Sequence, residues 1–168
     1  MPRPAARYTA AAYARAPMPL YLVRHAKAGS RHDHDGPDID RPLTTAGVRQ
    51  ADAIADRFDG ADVTAVLSSP YLRCVQTVAP LATRRGLAVV PLAILREGTP
   101  FEPVLALLAA TPDGTVACTH GDVLPDVIAA LARRGTRVDG PLDERKGVVW
   151  VLEREGHEVT RAFAIPPP

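Results

Sequence analysis

Apolar positions recur in two rhythms along this chain, and their succession lays out the predicted elements. The run Leu20, Tyr21, Leu22, Val23 shows little polar alternation, which suits a strand covered on both faces. Val48, Ala51, Ile54, Ala55 and Phe58 then repeat at helical spacing behind Thr44 and Thr45, with a threonine as the expected N-cap and Gly60 as the stop. A second strand is predicted over 61–67. Ser69 can cap the helix that follows, Pro70 takes its first position, and the helix runs over 71–85 to Gly86, with Pro80 predicting a kink or an early end. Residues 87–95 contain a third strand, 101–110 a short helix, 114–119 a fourth strand and 123–134 a helix closed by Gly135. Two last strands are expected over 146–153 and 158–164, joined by a turn at Gly156. Strands alternating with helices predict an α/β three-layer sandwich, a mostly parallel central sheet with helices on both faces.

Length adds that 168 residues carry one full hydrophobic core and not two, so a single domain over 18–165 is expected behind a flexible arm over 1–17. A formal charge of +1 gives no global reason to invoke nucleic acid or an anionic membrane, and neither is expected as a partner. No stretch approaches the roughly 20 apolar residues of a membrane span. Arg7 and Arg15 interrupt the apolar residues of the arm, unlike a signal peptide, so a cytoplasmic location is expected. Cys74 and Cys118 form neither a CxxC pair nor a disulfide framework and are expected to pack as small buried groups.

Several chemistries find no support. There is no Walker A pattern, no GxGxxG and no GxSxG, and six positions after the two cysteines, where a cysteine phosphatase needs arginine, stand Pro80 and Leu124. The polar run His32-Asp33-His34-Asp35 offers metal-ligating types without the further histidine a dinuclear site needs, and a solvated loop is expected there. What remains is a set of residues at strand ends. Arg24 and His25 follow the first strand, Arg73 the second, Glu97 the third and His120 the fourth. In a parallel sheet these fall at one edge, and two arginines with two histidines suit a phosphoryl group, because guanidinium forks match phosphate oxygens and stay charged.

Five segments extend this to a resemblance: Leu22-Val23-Arg24-His25-Ala26, Arg41-Pro42-Leu43-Thr44, Ser68-Ser69-Pro70-Tyr71-Leu72-Arg73 with Gln76-Thr77, Glu97-Gly98-Thr99-Pro100, and Thr119-His120-Gly121. In this order they resemble the histidine phosphatase superfamily, phosphoglycerate mutase-like in fold, in its small SixA-type phosphohistidine phosphatase branch. Residues 22–31 are also similar to the histidine phosphatase domain that follows a Nudix domain in mycobacterial MutT-type proteins, although no Nudix portion is present. The resemblance implies a metal-independent phosphatase with no cofactor, in which His25 is the nucleophile and becomes phosphorylated, Arg24, Arg73 and His120 hold the phosphoryl oxygens, and Glu97 is the general acid and base. Glu97 as a solvated loop carboxylate is an equal alternative. Lys27 and Arg31 can extend a positive substrate rim, or serve as plain surface residues. Asp122 either orients His120 or caps the following helix, and capping is expected. The implied partner is a phosphohistidine protein or a phosphorylated small molecule; a nucleoside di- or polyphosphate is the rival substrate. A metal-dependent hydrolase built on His32 and His34, and a non-catalytic phosphate-binding module, are the alternatives from other classes.

Overall fold

Leu20, Leu22 and Val23 are fully buried in strand β1 (Leu20–Arg24), which requires cover on both of its faces. In the computed structural model, which describes residues 18–168, that cover comes from four helices; the arm expected over 1–17 lies outside the described residues. After β1 the chain forms α1 (Thr45–Asp56), β2 (Ala65–Ser68), α2 (Leu72–Arg85), β3 (Val89–Pro91), α3 (Phe101–Ala110), β4 (Thr115–Thr119), α4 (Val123–Arg133), β5 (Arg137–Asp139), β6 (Val149–Glu155) and β7 (Glu158–Ile165). The sheet order is β3-β2-β4-β1-β6-β7-β5. The first four strands in that order are mutually parallel, β6 runs antiparallel to β1, β7 antiparallel to β6, and β5 parallel to β7.

The side-chain period of a strand assigns the two cores. Leu20, Leu22, Ala117, Trp150 and Leu152 face α3 and α4, where they meet Val104, Leu108, Leu124 and Val127. Val23, Val66, Val116, Cys118 and Val149 face α1 and α2, against Ala51, Ile54, Val78 and Leu81. Both faces of the central strands are therefore dry, and the α/β three-layer architecture follows.

Local chemistry sets the helix ends. Thr44 Oγ1 accepts from Gly47 N at 3.0 Å and caps α1, as expected of a threonine there, and α2 stops at Gly86 with φ 64°. Three expectations need correction. Val48 is 48% exposed, and Gly47 and Gln50 take its place on the buried face of α1. α2 begins at Leu72 without a side-chain cap and runs through Pro80 without ending early. The three-residue strand β5 had no counterpart in the periodicity.

Register brings the strand ends together. Arg24 pairs with Thr119 across β1 and β4, so His25 N donates to Thr119 O at 3.1 Å, and Ser69 N donates to Cys118 O at 2.9 Å. The residues that follow β1, β2 and β4 thus meet at the carboxyl edge of the parallel strands.

Candidate active site

His25 leaves β1 into the sheet edge and is only 6% exposed. Its Nδ1 lies 2.8 Å from the carbonyl of Ala26. A carbonyl can only accept, so Nδ1 carries the proton and Nε2 the lone pair. Burial pushes the imidazole pKa down to about 3; the Ala26 carbonyl opposes this, while the charges near His120, Arg73 and Arg24 add to it. His25 is a neutral base in neutral solution, with its free nitrogen fixed by the carbonyl of the next residue.

Arg73, in the first turn of α2, is 1% exposed. Its Nη1 donates to Asp38 O at 2.9 Å, and its Nη2 lies 3.1 Å from Asp38 Oδ2, 3.5 Å from Glu97 Oε2 and 3.4 Å from His120 Nδ1. The Tyr71 ring lies beneath it, with the guanidinium carbon 4.6 Å from the ring centroid. Arg24 donates through Nη1 to Glu144 O, and its guanidinium covers Gly121 so closely that a Cβ there would stand 2.4 Å from Arg24 Cζ. A side chain at position 121 would displace the Arg24 guanidinium. The Nε atoms of both Arg24 and Arg73 are buried without a hydrogen-bond partner. Two buried guanidinium donors left open in one site are an invitation to an anion.

His120 stands 5.5 Å from His25, ring centre to ring centre, and edge-on to Tyr71. Because Arg73 can only donate, His120 Nδ1 accepts and Nε2 gives its hydrogen to Ser69 Oγ at 2.8 Å. Both ring nitrogens are therefore engaged, and in this tautomer Nδ1 has no hydrogen to give a phosphoryl oxygen. Ser69, expected as a helix cap, instead serves His120, and its contact to Tyr71 N stretches to 3.4 Å. Cys74 and Cys118 are buried as expected, and Cys74 Sγ sits 3.5 Å from His120 Nε2.

Glu97 is brought to the same place by the loop before α3. Arg31 grips both of its oxygens, at 3.0 and 2.9 Å, so Arg31 does not stand free as a rim cation. Asp122 neither caps α4 nor touches His120: its Oδ2 accepts from Gly98 N at 2.7 Å and ties down the Glu97 loop. Lys27 is exposed and contributes backbone, its N–H to Gln50 Oε1 at 3.0 Å and its carbonyl to Thr44 N at 3.0 Å. Among the described residues no three His, Cys, Asp or Glu side chains converge into a metal-binding group, so the run at His32 to Asp35 does not close into one.

Several participants were not singled out from the sequence. Asp38 sits against Arg73, Arg41 and Arg31 at 3.1, 2.8 and 3.2 Å. Burial raises its carboxyl pKa, but the Arg41 hydrogen bond and the charges of Arg73, Arg41 and Arg31 outweigh this and hold it below the ordinary value. Lys146 has its ammonium pKa lowered, by burial first and then by Arg24, Arg41 and Arg73, as befits a further cation beside the arginines. Gln50 braces the site from behind, its Nε2 donating to Lys146 O at 2.9 Å. One sign was available for Gln50, a lone polar residue on a helix face with Ala51 and Ile54; for Asp38 the only sign was its spacing of three from Arg41.

Comparison with known proteins agrees with this geometry. The model of the histidine phosphatase superfamily (branch 1) matches residues 20–99, which hold Arg24, His25, Arg73 and Glu97. An 8-oxo-(d)GTP phosphatase of Mycolicibacterium smegmatis is 30% identical over 155 residues, covering 89% of this chain and 48% of that protein, so the chain spans about half the length of this relative. Among solved structures, the protein histidine phosphatase SixA in complex with tungstate matches with a TM-score of 0.71 at 21% identity, over 89% of this chain and 95% of the other. A candidate phosphohistidine phosphatase SixA from Nakamurella multipartitia matches with a TM-score of 0.67 at 27% identity, over 89% and 96%. Family match, shared fold and the assembled strand ends agree: over residues 20–99 the chain matches the histidine phosphatase superfamily (branch 1), and as a whole it is similar in fold to the SixA structures.

Proposed function

We propose that this chain is a phosphatase that takes a phosphoryl group onto His25 and passes it to water. The observation that carries the reading is the state of His25: a buried neutral imidazole, Nδ1–H committed to the Ala26 carbonyl, in a site where Arg24 and Arg73 each keep a buried Nε–H unpartnered. In the first step the Nε2 lone pair attacks phosphorus in line, the N–P bond forms, and the bond to the leaving group breaks with its electron pair. The imidazole gains positive charge as this happens, and the Nδ1–H···O=C bond to Ala26 steadies it. Arg24 and Arg73 receive the phosphoryl oxygens on the Nε–H that each keeps unpartnered, and His120, which accepts from Arg73 at Nδ1 and donates to Ser69 from Nε2, holds Arg73 beside them. In the second step Glu97 accepts a proton from water, water oxygen bonds to phosphorus, and the N–P electron pair returns to Nε2.

The pairing of Glu97 with Arg31 bears on the substrate. Both oxygens of Glu97 accept from Arg31, an arrangement that suits a base for water better than a donor to a leaving group. Protein phosphohistidine fits such a site, because its imidazole, with a proton taken from solvent on the distal ring nitrogen, departs as a neutral molecule and needs no proton from the enzyme. The second reading is a nucleoside di- or polyphosphate, whose phosphate leaving group is also undemanding; the similarity to the 8-oxo-(d)GTP phosphatase favours it.

The test is intact-mass analysis after rapid alkaline quench, with excess EDTA throughout, on the wild type and His25→Ala. One phosphoryl group that loads only when His25 is present and is lost in mild acid is the expected result. Turnover without an adduct, or activity abolished by EDTA, overturns the reading. A phosphohistidine peptide and an 8-oxo nucleoside triphosphate, compared by the rate at which each loads His25, separate the two substrates. Removal of Arg24 or Arg73 is expected to lower turnover by roughly 10²-fold, the scale of a lost oxyanion donor.

A further inference from the structure

A pocket for a dianion gains nothing, electrostatically, from a carboxylate in contact with its buried arginine, yet Asp38 stands 3.1 Å from Arg73 Nη2. That contact repels substrate and calls for another role. Asp38 holds Arg73 twice, through its side chain at Nη2 and through its main-chain oxygen at Nη1, 2.9 Å away. Nη1 is hydrogen-bonded to the Asp38 main chain and Nη2 is ion-paired with a carboxylate oxygen that makes no hydrogen bond of its own, so the guanidinium is drawn toward Asp38 from two atoms, and Nε remains as its unpartnered buried donor. Asp38 is held in turn. Arg41, itself only 8% exposed, donates from Nε to Asp38 Oδ1 at 2.8 Å and from Nη1 to the Gly29 carbonyl. The 3₁₀ turn Asp38–Asp40 that carries Asp38 is thereby fixed to the start of its own loop.

Resting on the phosphatase reading, we propose that Asp38 is the positioning residue of this site, acting through Arg73: it sets the direction of the guanidinium at the cost of weaker anion binding. Arg41, and behind it the Gly29 carbonyl, fix Asp38. The proposal predicts that phosphoryl transfer and phosphate affinity separate. Without the carboxylate, Arg73 keeps only its main-chain anchor at Nη1 and its Nη2 end is released; misplacement of a catalytic group on the ångström scale lowers turnover by as much as roughly 10²-fold. Phosphate, released from competition with a neighbouring negative charge, binds as well as before or better. A residue that only supported the fold would lose both together.

The experiment is Asp38→Asn, nearly isosteric and uncharged, measured beside the wild type with p-nitrophenyl phosphate for kcat and inorganic phosphate as the competing product for Ki. Expected is a fall in kcat of at least about tenfold, in line with the loss above, with Ki unchanged or lower and a matching slowing of phosphoryl loading on His25. Asp38→Ser, which keeps an acceptor without charge, is read the same way should the asparagine variant melt below the assay temperature. An unchanged kcat overturns the proposal, and so does a rise in Ki that accompanies the fall in kcat. The two readings fail differently: a wild type that never loads His25 removes the phosphatase reading and this one with it, whereas a wild type that loads and a variant that loads equally fast removes only the role of Asp38.

Discussion

His25 is neutral because its surroundings make the charged form expensive, and that has a consequence for stability. Burial lowers its pKa in the folded protein from 6.5 to about 3. Between those values the unfolded chain binds a proton at this position that the folded chain refuses, so the contribution of His25 is fully present above about pH 6.5 and is lost as pH falls toward 3. Urea unfolding at pH 7, 5 and 4 is expected to show a decline in stability that is shallower in His25→Gln; equal slopes in the two proteins contradict the assignment. At this scale the sequence was legible wherever a residue ends a strand. Arg24, His25 and His120 are placed by the backbone that delivers them, and Arg73 by the helix start after β2. Asp38 and Ser69 were not legible. Their roles depend on how a loop folds back across the strand ends, and no periodicity records that.

Pro80 is the element-scale test. It stands inside α2 with no N–H to give to the Gln76 carbonyl one turn earlier, and the helix nonetheless continues to Arg85. α2 persists because Cys74, Val78, Leu81 and Ala82 are buried against the sheet and α1, an example of packing overriding propensity. Pro80→Ala is therefore expected to stabilise the protein by about 2 kcal/mol, the ~3 kcal/mol cost of an interior helical proline less the ~1 kcal/mol by which proline restricts the unfolded chain. Chemical denaturation measures it, and a variant no more stable than the wild type shows that the helix is already adapted to the proline. The helices could be read because each has one apolar face and a glycine or threonine at its boundary, and β1 and β4 because they are buried throughout or nearly so. β5 could not, since Arg137, Val138 and Asp139 gain their strand character only by pairing with Arg161, Ala162 and Phe163, distant in sequence.

For the molecule as a whole, both cores use opposite faces of the same strands, so neither can open alone without stripping the sheet. The single tryptophan, Trp150, is fully buried among the α3 and α4 side and donates from Nε1 to Asp143 O at 2.8 Å. Its fluorescence and the far-ultraviolet signal are expected to change in one coincident transition; two separate midpoints contradict this. Sequence patterning specified layers and fold class but not strand order: nothing in residues 149–155 announces that β6 lies beside β1 and runs against it. The pairing of β1 with β4 reaches further. Because His25 and His120 leave neighbouring strands in register, their separation is governed by the spacing of peptide hydrogen bonds, about 4.8 Å between strands in any sheet. Drift in surrounding sequence cannot stretch it. Residues 32–37 are under no such constraint, and descendants of this gene can exchange them, and with them, on the phosphatase reading, the choice of substrate, while inheriting the two histidines unchanged.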